Sequence, residues 1–176
     1  MLRLFVALRP PPPVRERLLD LMEGVPGARW QEDEQLHLTL RYIGEVDERV
    51  GEDVVAVLAG VHAPAPTVAR AGTGRFDGAL WAGVRPHDAL LALHRKVDAA
   101  CVRAGLAPER RAYLPHLTLA RLGRRAAASP EATRWLADTA GLASAPFACP
   151  HLILYQSHLG HEGASYEPVM RWPLDP

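Results

Sequence analysis

A chain of 176 residues, 48% of them hydrophobic and 23% charged, is long and apolar enough to bury one domain core, which excludes disorder over most of its length. Lysine and arginine together number 20, as do aspartate and glutamate, so no global field draws the protein to nucleic acid or an anionic membrane, and any anion site must be a local cleft. The two cysteines, Cys101 and Cys149, lie far apart outside any C-x-x-C or zinc-type spacing, which argues against a disulfide scaffold and a structural metal. The apolar run at residues 1–8 meets Arg9 and four prolines too soon for a secretory signal, and no stretch approaches the roughly 20 apolar residues of a membrane helix. A cytoplasmic location without membrane contact is the expectation.

Residues 2–8 read as a strand, which Pro10 to Pro13 end while pre-setting φ for a helix. That helix carries Val14, Leu18, Leu21, Met22 and Val25 at helical spacing, with Gly24 as its C-cap. After Trp30 and a polar stretch, residues 36–43 read as a strand closed by Gly44. Asp47 then caps a helix with the stripe Val50, Val54, Val57, Leu58 and Val61, ending near Gly60. Residues 67–76 and 79–85 are strands joined by Asp77-Gly78, a dipeptide that favours a tight hairpin turn. A helix over 88–103 follows, with Leu90, Leu93, Val97 and Cys101 on its apolar face. Residues 111–122 form a strand closed by Gly123. Ser129-Pro130 supplies the N-cap and first residue of a helix running to Gly141, and residues 147–155 and 166–172 are two last strands around a glycine-containing turn. The order βαβαββαβαββ with a central hairpin indicates an α+β fold rather than a doubly wound parallel sheet, and no low-complexity linker divides the chain.

Residues 37–44 (HLTLRYIG) align with residues 116–123 (HLTLARLG), an internal repeat with five identities in eight positions. On a strand, alternate side chains share a face, so His37 with Thr39 and His116 with Thr118 point one way and the leucines the other. A core repeat has reason to duplicate leucines but none to duplicate histidine and threonine, whose burial demands partners. Two imidazoles and two hydroxyls at one cleft suit displacement at phosphorus: one histidine serves as base for the attacking oxygen, the other as acid for the leaving oxygen, and hydroxyls hold the phosphate. Arg121 is a further phosphate ligand candidate, although strict alternation places it opposite His116 and a contact needs a bend or bulge. Arg41, Arg121 or nearby arginines are expected to form a basic rim that makes binding of an anionic substrate salt-sensitive. His62, His87, His94, His151, His158 and His161 share no spacing and read as solvated. No acidic or thiol ligand accompanies either motif histidine, so no metal and no cofactor are expected.

The paired motif resembles those of the 2H phosphoesterase superfamily and, within it, the RNA 2′,3′-cyclic phosphodiesterases, also called 2′-5′ RNA ligases. The opening RLFVAL, Trp30, FDGALWAGV, LYQS, Tyr166 and RWPL extend the similarity along nearly the whole chain. The resemblance implies one domain over 1–176, two-lobed and pseudo-symmetric, each lobe carrying one motif, with antiparallel sheets forming a concave cleft and helices outside. It further implies His37 as proton donor, His116 as proton acceptor, Thr39 and Thr118 as phosphate ligands, and metal-free hydrolysis of an RNA 2′,3′-cyclic phosphate to the 2′-phosphomonoester, with reversible 2′-5′ ligation as a side capability. The substrate implied is an RNA end; the runner-up is a 2H phosphodiesterase acting on a small cyclic nucleotide or an ADP-ribose cyclic phosphate, and a non-catalytic RNA-binding module is the alternative from another class. No obligate protein partner is inferred.

Overall fold

The computed structural model describes residues 1–176. In chain order it contains β1 (Leu2–Leu8), α1 (Pro12–Leu19), β2 (Arg29–Trp30), a 3₁₀ turn (Asp33–Gln35), β3 (Leu38–Val46), α2 (Glu48–Ala59), β4 (Thr67–Val68), β5 (Arg70–Phe76), β6 (Ala79–Val84), α3 (Asp88–Arg103), β7 (His116–Arg121), α4 (Arg124–Ala127), α5 (Pro130–Thr139), β8 (Phe147–Ala148), β9 (His151–Gly160) and β10 (Gly163–Pro173). This is the α+β class expected. An antiparallel sheet runs in the order β10-β9-β1-β3-β7-β6-β5, with β2 paired on β7, and β4 pairs with β8 separately. β3 and β7 pair only through Leu38 and Leu117. The sheet is therefore pinched at its centre, at the two repeated motifs.

Local chemistry accounts for several element ends. Asp47 accepts from Val50 N–H at the start of α2, Gly60 caps its end, and the Ser129 side chain accepts from Ala132 N–H with Pro130 opening α5. Gly78 adopts φ +78°, the left-handed value the β5–β6 turn requires. At α3 the cap is His87, whose Nδ1 accepts from Ala89 N–H.

Alternation then sorts the faces of the sheet. Leu38, Leu40, Leu117 and Leu119 are buried in the main core with Val54 and Leu58 of α2 and Leu90, Leu93 and Val97 of α3. On the other face of β1 and β9, Phe5, Ala7, Ile153 and Tyr155 form a small second cluster with Tyr166 packed on it. The helices occupy the leucine side and the motif histidines the opposite one.

Several boundaries differ from the sequence reading. α1 ends at Leu19, so Leu21 and Met22 lie in a turn and Val25 is buried from a loop. The strand expected from residue 111 starts only at His116: Glu109 N–H donates to the Asp98 carboxylate and Arg111 N–H to the Glu109 carboxylate, which removes those donors from any ladder, and Pro115 has none. Pro150 separates β8 from β9, and the last hairpin extends further than expected, to a turn at His161 and Glu162. Gly44 does not close its strand but sits within β3 at φ +86°, where the register slips by one residue.

Candidate active site

The lone Leu38–Leu117 pair sets the register of the site. In an antiparallel pair this register sets His37 opposite Thr118 and Thr39 opposite His116 along the two strands. The rings are held alike. His37 Nδ1 lies 2.7 Å from the Gln35 carbonyl oxygen and His116 Nδ1 lies 2.7 Å from that of Leu114. A carbonyl can only accept, so both Nδ1 atoms carry hydrogen and both Nε2 atoms are the ones free for chemistry.

Their surroundings differ. Phe5 lies 4.7 Å from the His37 ring, Tyr166 meets it edge-on at 5.1 Å and Tyr155 stands at 6.1 Å. Loss of hydration in this aromatic setting pushes the His37 pKa down to about 4; the Gln35 carbonyl opposes the shift, while the positive charge of Arg121, His116 and Arg9 adds to it. His116 is flanked by Phe76 edge-on at 5.0 Å and Trp81 at 6.0 Å. Trp81 lies across Gly74, where a Cβ would come within 2.1 Å of the indole, so only glycine leaves room for it.

Arg121 reaches the cleft because β7 is bulged. β6 pairs Trp81 with Thr118 and then Leu80 with Ala120, skipping Leu119, and both Leu119 and Ala120 are buried while Arg121 is exposed. The extra residue reverses the alternation and returns Arg121 to the face of His116. β3 carries the same device: β1 pairs Ala7 with Thr39 and then Val6 with Arg41, skipping Leu40. Arg41 is thereby turned inward. It is 8% exposed, pairs with Asp98 at 2.9 Å, lies 3.8 Å from Glu109 and donates to the Ala107 carbonyl, so the expectation of Arg41 on a basic rim is corrected.

Tyr42 takes the outward position instead, equivalent to Arg121 in the repeat. A cleft of about 300 Å³ is lined by Arg3, Phe5, His37, Thr39, Tyr42 and Arg121. Sequence reasoning missed Tyr42 because unbroken alternation from His37 directs it to the core. The signal was the repeat itself, which sets Tyr42 opposite Arg121.

Of the remaining histidines, His87 caps α3, His158 pairs with Glu167 at 3.0 Å, and His94 is half-buried, stacked on Tyr113 at 4.0 Å rather than solvated. Tyr113 donates to the Thr39 carbonyl at 2.9 Å and thus holds the first motif from behind. Trp30 packs against Trp135 at 5.8 Å. No three His, Cys, Asp or Glu side chains are grouped to hold a metal ion, and no helix is long and apolar enough to cross a membrane.

The chain is 32% identical over 163 residues to a Geobacillus stearothermophilus protein named RNA 2′,3′-cyclic phosphodiesterase; the match covers 88% of this chain, which spans half the length of that relative. It is 28% identical over 184 residues to an Escherichia coli K12 protein of the same name, covering 98% and 96% of the two chains. In fold it is similar to the crystal structure of E. coli LigT complexed with 3′-AMP, with a TM-score of 0.82, 24% identity and 99% of each chain covered. The sequence profile of the 2′-5′ RNA ligase superfamily matches residues 6–161, both histidine motifs included, and the chain belongs to that superfamily.

Proposed function

We propose that the protein is an RNA 2′,3′-cyclic phosphodiesterase that opens the ring to the 2′-phosphomonoester by two-histidine acid–base catalysis without a metal. The observation that carries this reading is the pair of imidazoles with free Nε2 atoms, each in register with the threonine of the other motif, beside an arginine brought round by a bulge. The name shared by the G. stearothermophilus and E. coli relatives supports the same substrate.

In this mechanism His116 Nε2 accepts a proton from water as its oxygen bonds to phosphorus. The P–O3′ bond breaks, and His37 Nε2–H protonates the departing O3′, leaving a 3′-hydroxyl and a 2′-phosphate. Thr39, Thr118 and Arg121 hold the non-bridging oxygens as charge builds on them. His37 is neutral in the free site near pH 7, and the negative charge of the bound phosphodiester favours the protonated form that donation requires. A 5′-hydroxyl in place of water gives 2′-5′ ligation by the same transfers, with its product returning to the cyclic phosphate in reverse.

The test is hydrolysis of a 2′,3′-cyclic nucleotide in EDTA by the wild type, His37→Ala and His116→Ala, with identification of the product isomer. Activity that survives chelation, yields the 2′-phosphate and falls by at least about 10² in each variant is expected. Chelator-sensitive activity, or activity indifferent to both substitutions, overturns the mechanism.

A further inference from the structure

The cleft beside His37 continues past Arg121. A second cavity of about 530 Å³ opens between β2, the 3₁₀ turn and the β9–β10 turn, and it shares Arg121, Leu159, Ala164 and Tyr166 with the first. Its lining is polar: Arg29, Gln31, Gln35 and Glu162 contribute side chains of both donor and acceptor type. The far wall is tied in place, since Gln35 Nε2 donates to the Ala164 carbonyl at 2.6 Å across 129 residues of sequence.

Arg29 and Arg121 are register partners on β2 and β7, so their side chains leave the sheet side by side on one face. No carboxylate lies within ion-pair distance of either one, because the ion pairs of the protein involve Arg9, Arg15, Arg41 and His158. The nearby Glu32 is engaged in capping the 3₁₀ turn. The Arg29 guanidinium lies beside the β9–β10 turn: a Cβ added at Gly163 would lie 3.4 Å from Nη1. Like charges directly opposite on paired strands repel, and an anion between or beside them relieves that repulsion.

We infer that the second cavity is a subsite for the nucleotide preceding the cyclic-phosphate terminus, with Arg29 on the phosphodiester that joins the two nucleotides while Arg121 serves the reacting phosphate. This rests on the phosphodiesterase reading above and deepens it: the substrate is an oligonucleotide end rather than a free cyclic mononucleotide. The chemistry follows from the connectivity of RNA. The terminal nucleoside carries its cyclic phosphate on O2′ and O3′ and the rest of the chain on O5′, so a bound RNA end must lead one further negative charge away from the histidines. Arg29 meets that charge, and the Gln31 amide with the Glu162 carboxylate offers partners to ribose hydroxyls and base edges.

The test compares kcat/KM for adenosine 2′,3′-cyclic phosphate and for the dinucleotide ApA ending in a 2′,3′-cyclic phosphate, in wild type and Arg29→Gln, with a methylphosphonate-linked dinucleotide as a neutral control. The dinucleotide is expected to be favoured about tenfold or more, the fold-change that one charge-assisted contact supplies. That ratio falls toward one in Arg29→Gln and with the neutral linkage. Equal kcat/KM for the two substrates in wild type, or a ratio unmoved by both changes, overturns the subsite and leaves the phosphodiesterase reading standing. Hydrolysis of neither substrate overturns both.

Discussion

His37 combines two demands that pull apart, since its aromatic setting favours the neutral imidazole while the proposed donor role needs the protonated one. Its folded pKa, about 4, lies below the 6.5 of a free histidine, so between these values the unfolded chain binds a proton that the native site refuses. Stability from this group is complete above pH 6.5 and is lost as pH falls toward 4. Denaturant titrations at pH 7 and pH 4.5 should show a larger loss for wild type than for His37→Gln; equal losses would refute the assignment. In kinetics a donor must carry its proton, so the His37 pKa governs where activity is lost as pH rises, and the negative charge of a bound phosphodiester raises that pKa. The alkaline limb of kcat should therefore lie above that of kcat/KM. Coincident alkaline limbs would contradict this picture.

Strands β3 and β7 differ in what their bulges deliver, and that difference separates two arginines by phenotype. Arg41 bridges β3 to Asp98 of α3 and Glu109 beyond it, with side chains only 8%, 22% and 32% exposed. Arg41→Ala should therefore lower stability by about 3 kcal/mol, the low end for stranding partly buried charges, with a reduced Tm as the readout. Arg121→Ala should leave Tm almost unchanged, because Arg121 is exposed and unpaired, and lower kcat/KM. On β5, Gly74→Ala drives a methyl into the Trp81 indole. A loss of about 1–3 kcal/mol and a fall in kcat are expected as Trp81 swings away from His116; an unshifted Tm would show that the indole has room to move.

At the scale of the whole molecule, a net charge of zero leaves no long-range attraction for RNA, so binding depends on the few arginines at the cleft. The affinity of His37→Ala for a labelled RNA end should fall with salt at a log–log slope of about −1 to −2, near −0.7 for each phosphate contacted. A flat response would exclude Arg29 and Arg121 as phosphate ligands. Much of this architecture was legible in the chain. The duplicated His-Leu-Thr-Leu, the caps at Asp47 and Ser129-Pro130, the Asp77-Gly78 turn and the 88–103 helix are local codes, written within a few residues by periodicity and capping chemistry. Alternation alone assigned the motif leucines to the core and their histidines to the other face. The tertiary structure alone decided the rest: the Leu38–Leu117 register that sets each histidine against the other threonine, and the two bulges that bring out Tyr42 and Arg121 while burying Arg41. A strand's period of two contains no record of where a partner strand skips a residue, and the backbone donors of residues 109 and 111 were lost to side chains. Those choices belong to contacts between segments far apart in sequence, which the chain specifies only once it has folded.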